Sequence, residues 1–178
     1  SDMNRHYSDQ ERDHESTEMQ RVSEQLNYFK PDYIIDVHTT KRDSGVFFIS
    51  DLPNNKRRAI YNSLPVDVCI MKDKVINKSF IGNHINAVSL EYSLNSISAE
   101  STSQFIKAIY TLVTNDILNS ESSASMYDVT KLIGKAEWES YPGLRNYEIK
   151  HQGVALMVPA NISEVDTEYY GFWCKPRN

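Results

Sequence analysis

The chain has 178 residues, 40% of them hydrophobic and 24% charged, with a formal net charge of −5. That length suits one main domain with a real core, and the acidic balance argues against a binder of phosphate backbones, which would gather lysine and arginine on one face. No apolar run nears the ~20 residues of a membrane span, no basic-then-apolar start marks a secretory signal, and two cysteines make no disulfide framework; a cytoplasmic setting is expected.

From Asp13 to Lys30, Met19, Val22, Leu26 and Phe29 recur at helical spacing, and Pro31 ends the segment. "DYIIDVHTT" (32–40) is short and β-branched and reads as a strand; "VFFIS" (46–50), beyond Gly45, reads as a second. "NKRRAIYNSL" (55–64) is a predicted helix closed by Pro65, its "KRR" (56–58) a solvated face. "VDVCIM" (66–71) makes a third strand, with Cys69 a buried structural thiol. Residues 72–86 are polar and read as loop with a turn of helix, and "AVSLEYS" (87–93) as a fourth strand. An amphipathic helix follows, with Phe105, Ile109, Leu112, Val113 and Ile117 on one face. "NSESSAS" (119–125) reads as a linker, and alternation at Val154, Leu156 and Val158 as a β-rich tail. The expectation is an α/β domain over 1–122, with a mixed, largely parallel sheet flanked by helices, and a small β-rich C-terminal domain over 123–178.

In such sheets ligands bind beyond the carboxyl ends of the strands. Two strands end in polar residues that packing does not require: His38 on the first and Glu91 on the fourth. A neutral imidazole is a common zinc ligand, and a carboxylate beside an activated water serves as base and then acid. Asp36 shares a strand face with His38 and is placed to hold its tautomer. A capped strand end for His38 and an ion-paired Glu91 are the plainer alternatives. "DMNR" (2–5) adds an asparagine and an arginine suited to a carboxylate.

In that order, "DMNR", a helix, "DYIIDVHTTKRDSG" and "SLEYS" resemble the succinylglutamate desuccinylase/aspartoacylase family, zinc-dependent hydrolases of N-acyl amino acids with a zinc carboxypeptidase-like fold. The resemblance implies His38 as a zinc ligand. It implies Asn4 and Arg5 as the grip on the substrate carboxylate, with Arg5 also polarising the scissile carbonyl. It makes Thr39 and Thr40 pocket-lining, Glu91 the acid/base, and Tyr169 of "EYYGF" the tyrosine that closes the pocket. Two departures stand out. The family's first zinc motif, His-x-x-Glu, occurs nowhere in the chain, which reads as a truncated piece lacking two ligands, with a natural short form that binds no metal tightly as the alternative. The arginine that family members binding acidic side chains carry falls near Ile81.

His14 with Glu18, on one helix face, and His84 are the auxiliary ligand candidates, each against a plain surface alternative. The expected function is zinc-dependent cleavage of the amide bond of an N-acyl amino acid or similar small carboxylate, with no nucleic-acid or membrane partner. The alternative is a non-catalytic module that binds a small carboxylate or a protein on a degenerate hydrolase fold.

Overall fold

The computed structural model describes residues 14–40, 45–64, 66–71, 80–94, 97–114, 124–156, 158–159 and 170–177. Helix α1 (His14–Phe29) turns Met19, Val22 and Leu26 onto the core. It stops where Lys30 takes a left-handed φ of 46° and returns its N–H to the Leu26 carbonyl at 2.8 Å. Phe29, expected on the buried face, is 73% exposed, because the chain leaves the helix axis at that residue.

Strands β1 (Ile34–Thr40), β2 (Val46–Ser50), β3 (Asp67–Ile70) and β4 (Ala87–Ser93) form where the sequence predicts them. Beyond helix α4 (Ala99–Thr114) come β5 (Met126–Leu132), a short helix α5 (Lys135–Glu139), β6 (Ile149–Lys150), β7 (Gly153–Leu156) and β8 (Phe172–Pro176). All eight strands join one mixed sheet in the order β1-β4-β2-β3-β5-β8-β7-β6. The parallel ladders β1–β4, β2–β3 and β3–β5 lie among the first five strands, and β5 through β8 pair antiparallel. At Gly153, φ is 132° and a Cβ would collide with the Cys174 carbonyl, so β7 can approach β8 only with glycine there.

Each face of the sheet has its own core. One packs Phe47, Ile49, Cys69 and Met71 against α1 and against Val154, Leu156 and Phe172. The other packs Phe48, Val68, Ile70, Val88 and Leu90 against α2 (Asn55–Ser63) and α4. A third cluster, around the fully buried Trp173, holds Ile133, Leu144, Ala155 and Tyr170 together, and the Trp173 indole donates to Glu137 at 3.0 Å.

Two expectations about the helices change. On α4 the buried side chains are Ala108 and Leu112, with Phe105 partly buried, while Val113 is 75% exposed and Ile117 lies outside the described residues. Ala108 and Leu112 face the second core, in one cluster with Ile60 and Tyr61 of α2, which leaves Val113 turned outward. On α2 the "KRR" run is not wholly solvated: Arg57 is buried. Its guanidinium donates to the carbonyls of Ala87, Leu52, Ile81 and His84 at 2.9–3.3 Å, with Asp51 at 3.6 Å. It thereby ties α2 to the short helix α3 (Phe80–Asn83) and to the start of β4. Among the described residues no helix is long and apolar enough to cross a membrane.

Candidate active site

The parallel pairing of β1 with β4 sets three rows at their carboxyl ends: Asp36 opposite Ser89, His38 opposite Glu91, and Thr40 opposite Ser93. Residues two apart on a strand face the same way, and in-register parallel neighbours stand about 4.8 Å apart. The His38 imidazole and the Glu91 carboxylate therefore rise side by side from one face. On that face Glu91 is flanked on its other side by Phe47 of β2, a buried ring.

Each of the two chemical groups is held by the residue two places before it. The Asp36 carboxylate lies 2.6 Å from His38 Nε2, which assigns the ring proton to that nitrogen and leaves Nδ1 as the acceptor of the neutral ring. The Ser89 hydroxyl, buried, donates to Glu91 Oε1 at 3.2 Å. Asp36 and His38 are each about a quarter exposed, accessible enough for a ligand and dry enough for their hydrogen bond to persist.

Row beyond row, the same face continues past Phe47 to Asp67 on β3, which accepts from the Ser125 N–H at 3.3 Å. Tyr147 hydrogen-bonds to Asp67, and burial together with that carboxylate pushes the Tyr147 phenol above its ordinary range. Beneath lies Cys69. The Cys174 thiol beside it and complete burial raise the Cys69 thiol well above its usual value, so it is no nucleophile at neutral pH. That agrees with a structural role.

Of the residues expected to bear on function, His38 and Glu91 are brought together and Thr40 adjoins them, nearly buried. Alternation places Thr39 on the opposite face, paired with Tyr92. Asn4, Arg5 and Tyr169 lie outside the described residues, as does His14's side chain. Glu18 is taken up by Arg21 at 2.7 Å. His84 precedes the amino end of β4, the far end from Glu91, and burial lowers its pKa. Ile81 is packed in the core, so its position offers no cation to a substrate. Ser89 and Ser93 escape a reading of the sequence for chemistry, although "SLEYS" carries serines two before and two after the glutamate.

A cleft of about 450 Å³ between β1 and α4, lined by Tyr33, Ile35, Phe105 and Ile109, opens on the other face and includes neither His38 nor Glu91. For zinc the fit is partial. The described residues contain no group of three or more His, Cys, Asp and Glu side chains able to hold a metal, and one imidazole beside one carboxylate is less than the three protein ligands a catalytic zinc takes.

No protein-family model matches the chain, and no curated protein sequence does. Solved structures do. The chain is similar over its whole length to the succinylglutamate desuccinylase of Chromobacterium violaceum, with a TM-score of 0.69, 13% identity and 67% of that chain covered. It is similar to a succinylglutamate desuccinylase/aspartoacylase from Rhodobacter sphaeroides, with a TM-score of 0.60, 11% identity, and coverage of 100% of this chain and 68% of that one. A point mutant of murine aminoacylase 3 matches 99% of this chain over 76% of its own, with a TM-score of 0.62 and 13% identity. The chain thus has the fold of these proteins and spans about two thirds of the length of the desuccinylases.

Proposed function

We propose that the protein is a hydrolase that cleaves the amide bond of an N-acyl amino acid, with Glu91 as the group that moves the proton. The observation that carries this reading is the in-register pair His38–Glu91 at the carboxyl ends of two parallel strands, each partner held by its own strand neighbour, on a fold shared with desuccinylases and an aminoacylase. Function resides in sites rather than folds, so the pair bears more of the weight than the likeness does.

In this scheme Glu91 takes a proton from the attacking water as the new C–O bond forms, and returns it to the nitrogen as the C–N bond breaks. Ser89 keeps the carboxylate aimed by donating its hydroxyl hydrogen to Oε1. Asp36 fixes His38 with Nδ1 as the lone-pair nitrogen. The family resemblance adds zinc at His38. The described residues do not complete a ligand set for it, and the proton transfers above need only the chain's own groups. Arg5 and Asn4 are proposed to take the substrate carboxylate, with Thr40 and Tyr169 around it; Thr39, on the opposite face, takes no part.

The test is release of free amine from a panel of N-succinyl and N-acetyl amino acids. Glu91→Gln keeps size and hydrogen bonding but cannot accept the proton, and is expected to lower kcat by about 10²–10⁴-fold with little change in substrate affinity. Turnover equal to wild type removes Glu91 from the mechanism.

A further inference from the structure

The sheet has two edges, and they are built differently. The β6 edge is two residues long, too short to template another strand. The β1 edge is seven residues long, and its ladder to β4 runs in register from Ile34 to Thr40 without a bulge. Ile34 gives its N–H to the Asn86 carbonyl on the β4 side, so by alternation Ile35, Val37 and Thr39 turn their N–H and C=O groups away from the sheet. Those three residues are β-branched and uncharged, and among the described residues no strand pairs with that side. Natural edges of this length are usually blunted by a lysine, a proline, a bulge or a cover, because a bare one recruits another chain.

Helix α4 adds an apolar flank beside that edge. By helical periodicity Ile106, Ile109, Tyr110 and Val113 fall together on one side of the helix, next to the buried face of Ala108 and Leu112. Ile109 and Val113 also line the cleft with Tyr33 and Ile35, which turns this flank toward the open edge. Val37, on the same face of β1 as Ile35, is 49% exposed, and Ile106, Tyr110 and Val113 are 63–75% exposed. An open strand edge beside an apolar helix flank fits a partner with the same two parts, and a second copy of this chain has both. We propose that the protein forms a twofold dimer in which β1 pairs antiparallel with the β1 of a second copy and the two α4 flanks pack across the axis. With the axis normal to the sheet, both α4 helices lie on one face, and the outward N–H and C=O groups of each β1 complete those of the other. Val37 and the α4 flank expose about 400 Å² of apolar surface; since about 57% of a typical interface is apolar, they make the centre of a face of about 700 Å² per copy. A standard stable interface takes about 800 Å² per copy, so edge and flank together approach that size.

Sedimentation equilibrium of the full chain over about 1–100 µM tests the pairing, because interfaces of this size bind in the µM range or tighter. The wild type is expected at twice the 20.5 kDa of one chain. Val113→Glu sets a charge into the seam, and Val37→Pro blocks the added strand while giving up an N–H that the β1–β4 ladder does not use. Each is expected to weaken the dimer by about 30-fold or more, with far-UV circular dichroism unchanged. Val113 is exposed in the single copy, so its variant folds and decides the question even where Val37→Pro does not. Gln104→Glu, exposed on the opposite flank of α4, is expected to leave the dimer intact. A wild type that is still monomeric at about 100 µM overturns the proposal and leaves the edge to a different chain. A folded Val113→Glu or Val37→Pro variant that dimerises as tightly as wild type also overturns it, as does loss of the dimer in Gln104→Glu, because the contact then lies elsewhere.

Discussion

Replacing Arg57 with alanine removes one side chain and five polar contacts. Two of its bonds, to the carbonyls of Ala87 and Ile81, are buried, and two, to Leu52 and His84, are partly buried; the ion pair with Asp51 is long at 3.6 Å. Charge-assisted bonds to buried carbonyls contribute about 1.5 kcal/mol each, the partly wetted ones about 0.5 kcal/mol, and the long ion pair little, for a loss of about 4 kcal/mol. Against a total stability of about 5–15 kcal/mol, that is a large share. Urea unfolding followed by tryptophan fluorescence, with Trp173 buried as the reporter, is expected to show a midpoint about 2 M lower at a slope of ~2 kcal/mol/M. Arg57→Lys keeps the charge but cannot reach four diverging carbonyls from one nitrogen, and is expected to recover less than half of the loss. A midpoint shift below about 0.5 M for Arg57→Ala would refute the idea that this guanidinium ties α2 to β4.

Asp36→Asn removes the acceptor that sets the His38 ring and is expected to lower kcat/KM about 10- to 100-fold with an unchanged urea midpoint; an unaffected rate would separate the Asp36–His38 bond from function. His84 should make stability pH-dependent. Burial lowers its folded pKa below the unfolded value, so folding favours the neutral ring, and its contribution is complete above about pH 6.5 and lost as pH falls toward the folded pKa. His84→Gln is expected to flatten the urea midpoint between about pH 7 and pH 5, whereas an identical slope in both proteins would exclude His84 as the titrating group.

Much of the front half is legible in the sequence because its periodicities are clean. The strands at 46–50 and 87–93 begin and end where the sequence reading places them, and α1 ends just before Pro31. The pairing that matters, β1 beside β4, is not local in sequence. Two strands ending in polar residues are readable; that Glu91 lies level with His38 rather than one residue off depends on register, which only the assembled sheet sets. The face of α4 misleads for a specific reason. Ile106, Ile109, Tyr110 and Val113 make an apolar stripe as good as the inward one, so hydrophobicity alone cannot orient the helix. Arg57 sits among charged neighbours that look like surface, and only the carbonyls converging on it from four places in the chain mark it as interior. In the back half, α5 has five residues and β6 two, too few for any period to register.

The two cysteines carry a last consequence. Cys69 and Cys174 lie in one core cluster, yet β5 runs between their strands, so their backbones stand at least two strand spacings, about 9.5 Å, apart. A disulfide spans no more than about 7 Å between α-carbons, so oxidation cannot staple them while the sheet is intact. Both are sealed from solvent, and neither can meet a reagent in the folded sheet. Their modification by a thiol reagent therefore times the parting of β3, β5 and β8, giving the protein an internal clock for the opening of its central sheet without any added probe.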